Sequence, residues 1–220
     1  MKTYILEAED VPYRTTKHKN HLPKLMDICL LARPRFDPET GEWWDGKLGI
    51  WMFAEEVAAK RSSRNRPRGT IELKGISVTK DIYKQYLRTH LIPAILSNWP
   101  RKRDLDGQLI DEYLFLQQDN ARTHVTQDKF DEIWSEFNDT QGIHLELAKQ
   151  PPNSPDLNIL DLAFFCSLQT YYFKDPGLNL MELKAKVEQA YWAYPREKNR
   201  KIVCYVAGCH EQDHRRFGWQ

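Results

Sequence analysis

Two short stretches hold the side chains best suited to chemistry. The first is Gln117-Gln-Asp119-Asn120-Ala-Arg-Thr-His124, which follows directly on the apolar run Tyr113-Leu-Phe-Leu116. That run reads as a short buried strand, so Asp119 falls at a strand's C-terminal end, where open α/β sheets place their ligands. The second is Asn153-Ser-Pro-Asp156-Leu-Asn-Ile-Leu-Asp161, separated from the first so that 41 residues lie between Asp119 and Asp161. Two carboxylates brought together can hold Mg²⁺, a hard ion that prefers oxygen ligands and keeps several waters. Two such ions about 3.5–4 Å apart can activate a water and stabilise the leaving oxygen of a phosphodiester. The same residues also have a plainer reading. A strand-end Asp is often a turn residue, and Asp161 in a first helical turn is favoured by the helix dipole. Both readings stand on the residues alone.

A third stretch is cationic. Lys60, Arg61, Arg64, Arg66 and Arg68 place five positive charges in nine residues, with Pro67 and Gly69 at the end. The segment lacks periodicity and reads as a basic loop that contacts phosphate, serves as a nuclear-import patch, or is a solvated connector.

The elements that must position these groups follow from pattern. Leu25–Ala32 and Lys47–Phe53 read as extended, with the turn signals Pro38 to Gly41 and Asp45-Gly46 between them, and predict a hairpin with a long connection. Residues 80–98 carry Ile82, Tyr83, Tyr86, Leu87, Leu91, Ala94 and Ile95 at helical spacing, and Pro93 is expected to kink that helix or end its first part. A strand over 113–117 leads to a helix capped by Thr126 and stopped by Gly142, with Phe130, Ile133, Trp134 and Phe137 on one face. Ile143–Leu147 alternates as a second strand. Gln150 to Pro155 enforces an extended link, after which a helix begins near residues 156–158, with Asp156 as its cap, and turns Leu160, Phe164, Phe165 and Leu168 inward. A last helix opens at Asn179 with Glu182 in the capping-box position. The order is strand, strand, helix, strand, helix, strand, helix, helix, which implies an α/β layered domain.

Composition sets the bounds. The 220 residues are 41% apolar and 29% charged, with 32 basic and 31 acidic side chains, enough for one core of ordinary size. The 26 aromatic residues and the near balance of charge exclude an acidic disordered chain and a histone-like binder. Residues 1–110 carry 20 basic and 14 acidic side chains, residues 111–220 carry 12 and 17, so a basic front half precedes an acidic back half. No apolar run reaches the roughly 18 residues of a membrane span, and the acidic turn after Met1–Leu6 reads as no secretion signal. Cys29 and Cys166 sit in apolar runs and read as small buried hydrophobes. Cys204, Cys209, His210 and His214 can bind metal, yet their spacing fits no standard zinc module well. With no disulfide framework, a reducing compartment is the default.

Taken together, Gln-Gln-Asp119-Asn120-Ala-x-x-His124 and Gln150-Pro-Pro-Asn-Ser-Pro-Asp-Leu-Asn-x-Leu-Asp161-Leu-x-Phe-Phe165 resemble the catalytic domain of mariner-like transposases, of the plant and oomycete type whose third acid is Asp. Ala32-Arg-Pro-Arg-Phe-Asp37, Asp45-Gly-Lys-x-Gly-Ile-Trp51 and Ala59-Lys-Arg-Ser-Ser-x-Asn-Arg-Pro-x-Gly-Thr70 extend the likeness over roughly residues 1–190. The resemblance implies an RNase H-like mixed sheet flanked by helices. It implies metal-dependent cleavage and joining of DNA at transposon ends, with Mg²⁺ or Mn²⁺ as cofactor, DNA as partner, and a nuclear location. A homodimer, or pairing with a full-length transposase, is the protein partnership it implies. By position Asp119 matches the family's second catalytic, metal-binding acid and Asp161 the third, with Asn120 and His124 in supporting roles.

Two parts of the family pattern lack a counterpart. Nothing resembles the paired helix-turn-helix domains, and the chain opens in a segment resembling the one just after the family's first acid. The expectation is a catalytic domain over 1–193 without its first, central strand, followed by an unassigned tail over 194–220. Asp27 and Asp10 are the nearest candidate substitutes for the absent acid, and neither matches its motif. The ancestral reaction is therefore expected to be incomplete in this chain. The alternative is a non-catalytic remnant that binds DNA, or a transposase, through the basic loop 60–68.

Overall fold

The computed structural model describes residues 25–37, 39–64, 66–154, 157–158, 160–172 and 179–203. Asp10, Asp156, Cys204, Cys209, His210 and His214 lie outside the described residues. The fold is mixed α/β. Its strands are β1 (Asp27–Leu31), β2 (Arg35–Asp37), β3 (Glu42–Trp44), β4 (Lys47–Met52), β5 (Ala54–Ala58), β6 (Ile71–Gly75), β7 (Glu112–Gln118) and β8 (Ile143–Lys149). Its helices are α1 (Lys80–Tyr86), α2 (Ile92–Asn98), α3 (Gln127–Trp134), α4 (Phe165–Tyr172) and α5 (Leu180–Trp192), with π turns at Leu87–Leu91 and Leu160–Phe164.

β1 and β4 pair antiparallel, with Cys29 opposite Ile50 and a bulge between Leu30 and Leu31. Their long connection contains its own hairpin, β2 with β3, in which Arg35 faces Trp44. Gly46, at φ +80°, sits against the Ala32 carbonyl where a Cβ would collide. β5 and β6 form a further hairpin whose tip is the basic segment, so the predicted loop 60–69 is a hairpin tip, with Ser63 bridging Arg66. β7 and β8 run parallel in register, Glu112 beside Ile143 through Gln118 beside Lys149.

β1 alternates between two apolar clusters, as a strand buried on both faces must. Leu30 joins Tyr83, Leu87, Leu91 and Ile92 of the first helical stretch, and that cluster continues to Phe130, Ile133, Ile143 and Leu145. Cys29 joins Ile50, Phe164, Leu168, Val187 and Tyr191. Helices therefore cover β1 from either side. No helix among the described residues is long and apolar enough to cross a membrane.

At Pro93 the regular helix is interrupted: α1 stops at Tyr86, a π turn carries Ile92 N–H back to the Leu87 carbonyl, and proline falls in the first turn of α2. Several local expectations need correction. β7 is buried on one face only: Tyr113 and Phe115 are exposed while Gln118 is buried. α3 ends at Trp134, well before Gly142, which with Gln141 adopts positive φ just ahead of β8. Thr126 stands at its N-cap without a side-chain capping bond. Cys166 is exposed, whereas Cys29 is buried as expected. The capping box at Asn179 and Glu182 is present in both directions. Beyond α5, Tyr194 and Asn199 are buried, and Asn199 donates to the Asp45 carbonyl at 2.7 Å.

Tyr191 ties α5 to both strands of the β1–β4 pair. Its hydroxyl donates to the Leu30 carbonyl at 2.7 Å and accepts from Gly49 N–H at 2.9 Å, at the bulge where β1 and β4 slip register. Tyr191→Phe removes both bonds and leaves a buried donor and acceptor. The expected loss is roughly 1–3 kcal/mol in urea unfolding. An unchanged midpoint would show that the backbone closes on itself there.

Candidate functional site

One cavity of about 630 Å³ separates β1 from β7, lined by Asp27 to Leu31 on one side and Phe115 to Gln118 on the other. Among the described residues β1 pairs only with β4, and β7 only with β8, so the facing edges have no strand between them. Two ties fix their relative direction. Arg35, just past the end of β1, meets Glu112 at the start of β7 at 3.1 Å. At the opposite end the Tyr83 hydroxyl donates to Gln118 Oε1 at 3.0 Å, while Tyr86, one turn along, donates to the carbonyl of Met52, the residue paired with Asp27. β1 and β7 therefore run antiparallel across the cavity. The β4 side is antiparallel, the β8 side parallel.

Asp119 and Asp161 both line this cavity. Asp119 is the first residue after the β7 pairing. Its Oδ1 accepts from Ala121 N–H at 2.8 Å and lies 2.8 Å from His124 Nδ1. That ring nitrogen is also 3.1 Å from the Asp119 carbonyl, so two acceptors select the tautomer protonated at Nδ1. The His124 ring packs on Tyr83 at 4.5 Å between centroids. His124 is thus a holder of the Asp119 loop. Asn120 donates to the Gln150 carbonyl at 2.7 Å and joins the exits of β7 and β8.

Asp161 sits in the first turn of the π segment and is exposed. Asn158 donates to its Oδ2 at 2.7 Å and accepts from its N–H at 3.3 Å. Asn158 thus bonds both the side chain and the backbone of Asp161. Each acid keeps one carboxylate oxygen clear of the contacts just described.

The sequence places Gln117 and Gln118 in the motif and Tyr83 on a helix face without assigning them a role, although these fix the loop. Gln117 donates to the Leu157 carbonyl at 2.9 Å, which ties β7 to the segment leading to Asp161. Gln118 is buried with both ends of its amide used, accepting from Tyr83 and donating to the Val125 carbonyl at 2.8 Å. Two consecutive glutamines at the end of an apolar strand are the signal that could have found them, because a buried amide needs fixed partners. Burial, and the Asp119 charge after it, hold the Tyr83 phenol above its ordinary range.

Asp27 also lines the cavity. Burial pushes its carboxyl up from 3.8 to about 6, against a smaller opposing effect of a hydrogen bond from its own backbone. Still, no three His, Cys, Asp or Glu side chains among the described residues gather closely enough to hold a metal. Asp27, Asp119 and Asp161 share a cavity without forming one cluster.

The basic residues lie elsewhere, on the β5–β6 hairpin tip. Lys60, Arg61, Arg64 and Arg68 are exposed, and Arg66 pairs with Glu72 on β6. In comparison with known proteins, no family model and no curated protein matches the chain.

The Asp27 shift has a definite sign in stability. Unfolded Asp27 loses its proton near 3.8, folded Asp27 near 6. Between those values the folded state holds more protons, so stability falls as pH rises through this window and the deficit persists above it. Asp27→Asn is expected to gain up to about 3 kcal/mol over wild type at pH 7.5, with the difference vanishing near pH 3. Urea unfolding from pH 3 to 8 measures this, and a pH-independent difference would refute it.

Proposed function

We propose that the chain is a mariner-like transposase derivative whose ancestral chemistry is divalent-metal-dependent cleavage and transfer of DNA strands, on an RNase H-like sheet. The observation that carries this reading is the convergence of Asp119 and Asp161, 41 residues apart in sequence, on one cleft at the C-terminal end of β7. Among the described residues no strand lies between β1 and β7, the position the resemblance gives to the family's central strand.

The donor set suits a hard cation in type and falls short in number. Asp119 and Asp161 would supply carboxylate oxygens to Mg²⁺ or Mn²⁺, with water filling the other positions. Such an ion supplies Lewis-acid stabilisation of a phosphodiester oxygen and a more acidic bound water. His124 and the Ala121 amide hold Asp119 in one orientation, and Asn158 does so for Asp161. With a third acid unassigned, turnover is expected to be small, because carboxylates of one site act as a unit.

Mn²⁺ titration followed by electron paramagnetic resonance tests the pairing. Wild type should bind the ion, and Asp119→Asn and Asp161→Asn should each weaken binding at least tenfold. The same variants should abolish any Mn²⁺-dependent nicking of transposon-end DNA. Equal Mn²⁺ affinity in all three proteins would overturn the reading.

The exposed charges of the β5–β6 tip favour a second, non-catalytic role in holding DNA, alone or beside a full-length transposase, in the nucleus. Each phosphate contact contributes about 0.9 to the slope of log K against log salt. Neutralising Arg61, Arg64 and Arg68 together should lower that slope by about 2–3 in fluorescence anisotropy with duplex DNA. Arg66→Ala should change it less, because Glu72 already partners that charge. Salt-independent binding would exclude the role.

A further inference from the structure

Apart from the cavity between β1 and β7, a smaller pocket of about 180 Å³ lies between the end of β4, the first helical stretch and α5. It shares no lining residue with the first. Sites for drug-sized ligands run to about 300–1,000 Å³, so this one suits a compact group. Three half-buried rings line it: Trp51 of β4, Tyr86 of α1 and His90 of the π turn. Their positions are fixed by contacts within the fold. The Trp51 indole lies back along its own strand over Gly49, where a Cβ would collide with the ring. The His90 ring stacks on the indole, 5.6 Å between centroids and 16° from parallel. Tyr86 meets His90 edge-on at 4.9 Å and packs on Phe53 at 4.4 Å, and its hydroxyl donates to the Met52 carbonyl at 2.8 Å. Burial holds His90 below its ordinary pKa, so at neutral pH that ring adds no charge. Glu188 of α5 brings the one carboxylate among the described lining residues, and Lys184 Nζ stands 3.8 Å from it.

Aromatic faces attract cations through the ring quadrupole, and sets of such faces recognise quaternary ammonium groups. These groups carry charge but no N–H, so they ask for ring faces and a nearby anion and not for fixed acceptors. We propose that Trp51, Tyr86, His90 and Glu188 form a binding site for a methylated quaternary ammonium group, as carried by free choline or by a trimethylated lysine side chain. The rings supply the cation-attracting faces, buried Met52 and Leu73 the apolar remainder, and Glu188 the opposite charge. Lys184 is the built-in competitor, since its ammonium already stands beside the carboxylate that the ligand uses. The site asks nothing of Asp119 or Asp161, and it can hold or fail separately from the metal chemistry proposed above.

Titration of the full chain, followed by nuclear magnetic resonance, tests the site with choline in one arm and a capped trimethyl-lysine in the other. Signals of Trp51, Tyr86 and His90 should shift and saturate with at least one of the two, and the arm that binds tells a free cation from a modified side chain. The uncharged isostere of that ligand, with tert-butyl in place of trimethylammonium, should bind at least about fivefold more weakly. Glu188→Gln should weaken cation binding about threefold, and Lys184→Ala should tighten it about twofold. Those two side chains are 39% and 40% exposed, so neither change opens the core. No saturable shift with either cation, equal affinity for the isostere, or undiminished affinity in Glu188→Gln would overturn the proposal.

Discussion

Everything at the cleft depends on two strands that share a layer without touching. β1 and β7 exchange no backbone bonds, yet side chains of neighbouring elements, Arg35 of β2 and Tyr83 of α1, hold the two ends of β7. At one end the Arg35 guanidinium stacks over Trp99 at 4.4 Å and meets Glu112, which also accepts from Trp99 Nε1 at 3.1 Å. Burial alone would push the Glu112 carboxyl up. The bonds from Trp99 and Arg35, with the charges of Arg35 and Lys102, outweigh it and leave the group below its ordinary value. An ion pair this enclosed holds geometry more than it adds net stability, since desolvation offsets much of the attraction. At the other end the Tyr83–Gln118 bond does the same with neutral groups. Asp119 is the next residue, so the tie that spaces the strands also aims the acid.

The parts of this arrangement legible in sequence are those set by local rules. Asn179 and Glu182 announce α5 because the capping box is closed by residues three apart. Asp119 and Asp161 are legible because each lies in a compact linear motif. The missed strands show the opposite case. β5 is Ala-Glu-Glu-Val-Ala, a composition with good helix propensity, and it is extended because it pairs with β6 residue by residue. β2 and β3 have three residues each, too few for a period of two to appear, and the pairing of Arg35 with Trp44 defines them. Cys166 lies in an apolar run, yet falls on the outer side of α4, while Phe164 and Leu168 turn inward.

The roles of Gln117, Gln118 and Tyr83 escaped sequence reading for the same reason. Their partners are 35 or more residues away in two cases, and only folding brings them into range. The π turns belong here too. One leads into α2 at Pro93, and the other opens the segment carrying Asp161, so both irregularities sit in helices that line the cleft. Such wide turns change which side chain faces inward without ending the helix.

The cleft also gathers charge at a cost in stability. Asp27, Asp119 and Asp161 line one cavity, and burial raises the Asp27 carboxyl to about 6. An isolated core has no reason to retain a buried acid that an amide or an aliphatic side chain could replace. Asp119 and Asp161 differ from it, because each has donors arranged about one carboxylate oxygen, from His124 and Ala121 in one case and Asn158 in the other. Donors placed this way fix the direction of the carboxylate. The two acids are therefore held in fixed orientations at the cleft, whereas burial disfavours charge on Asp27. That contrast separates the two oriented acids from Asp27, which only shares the space.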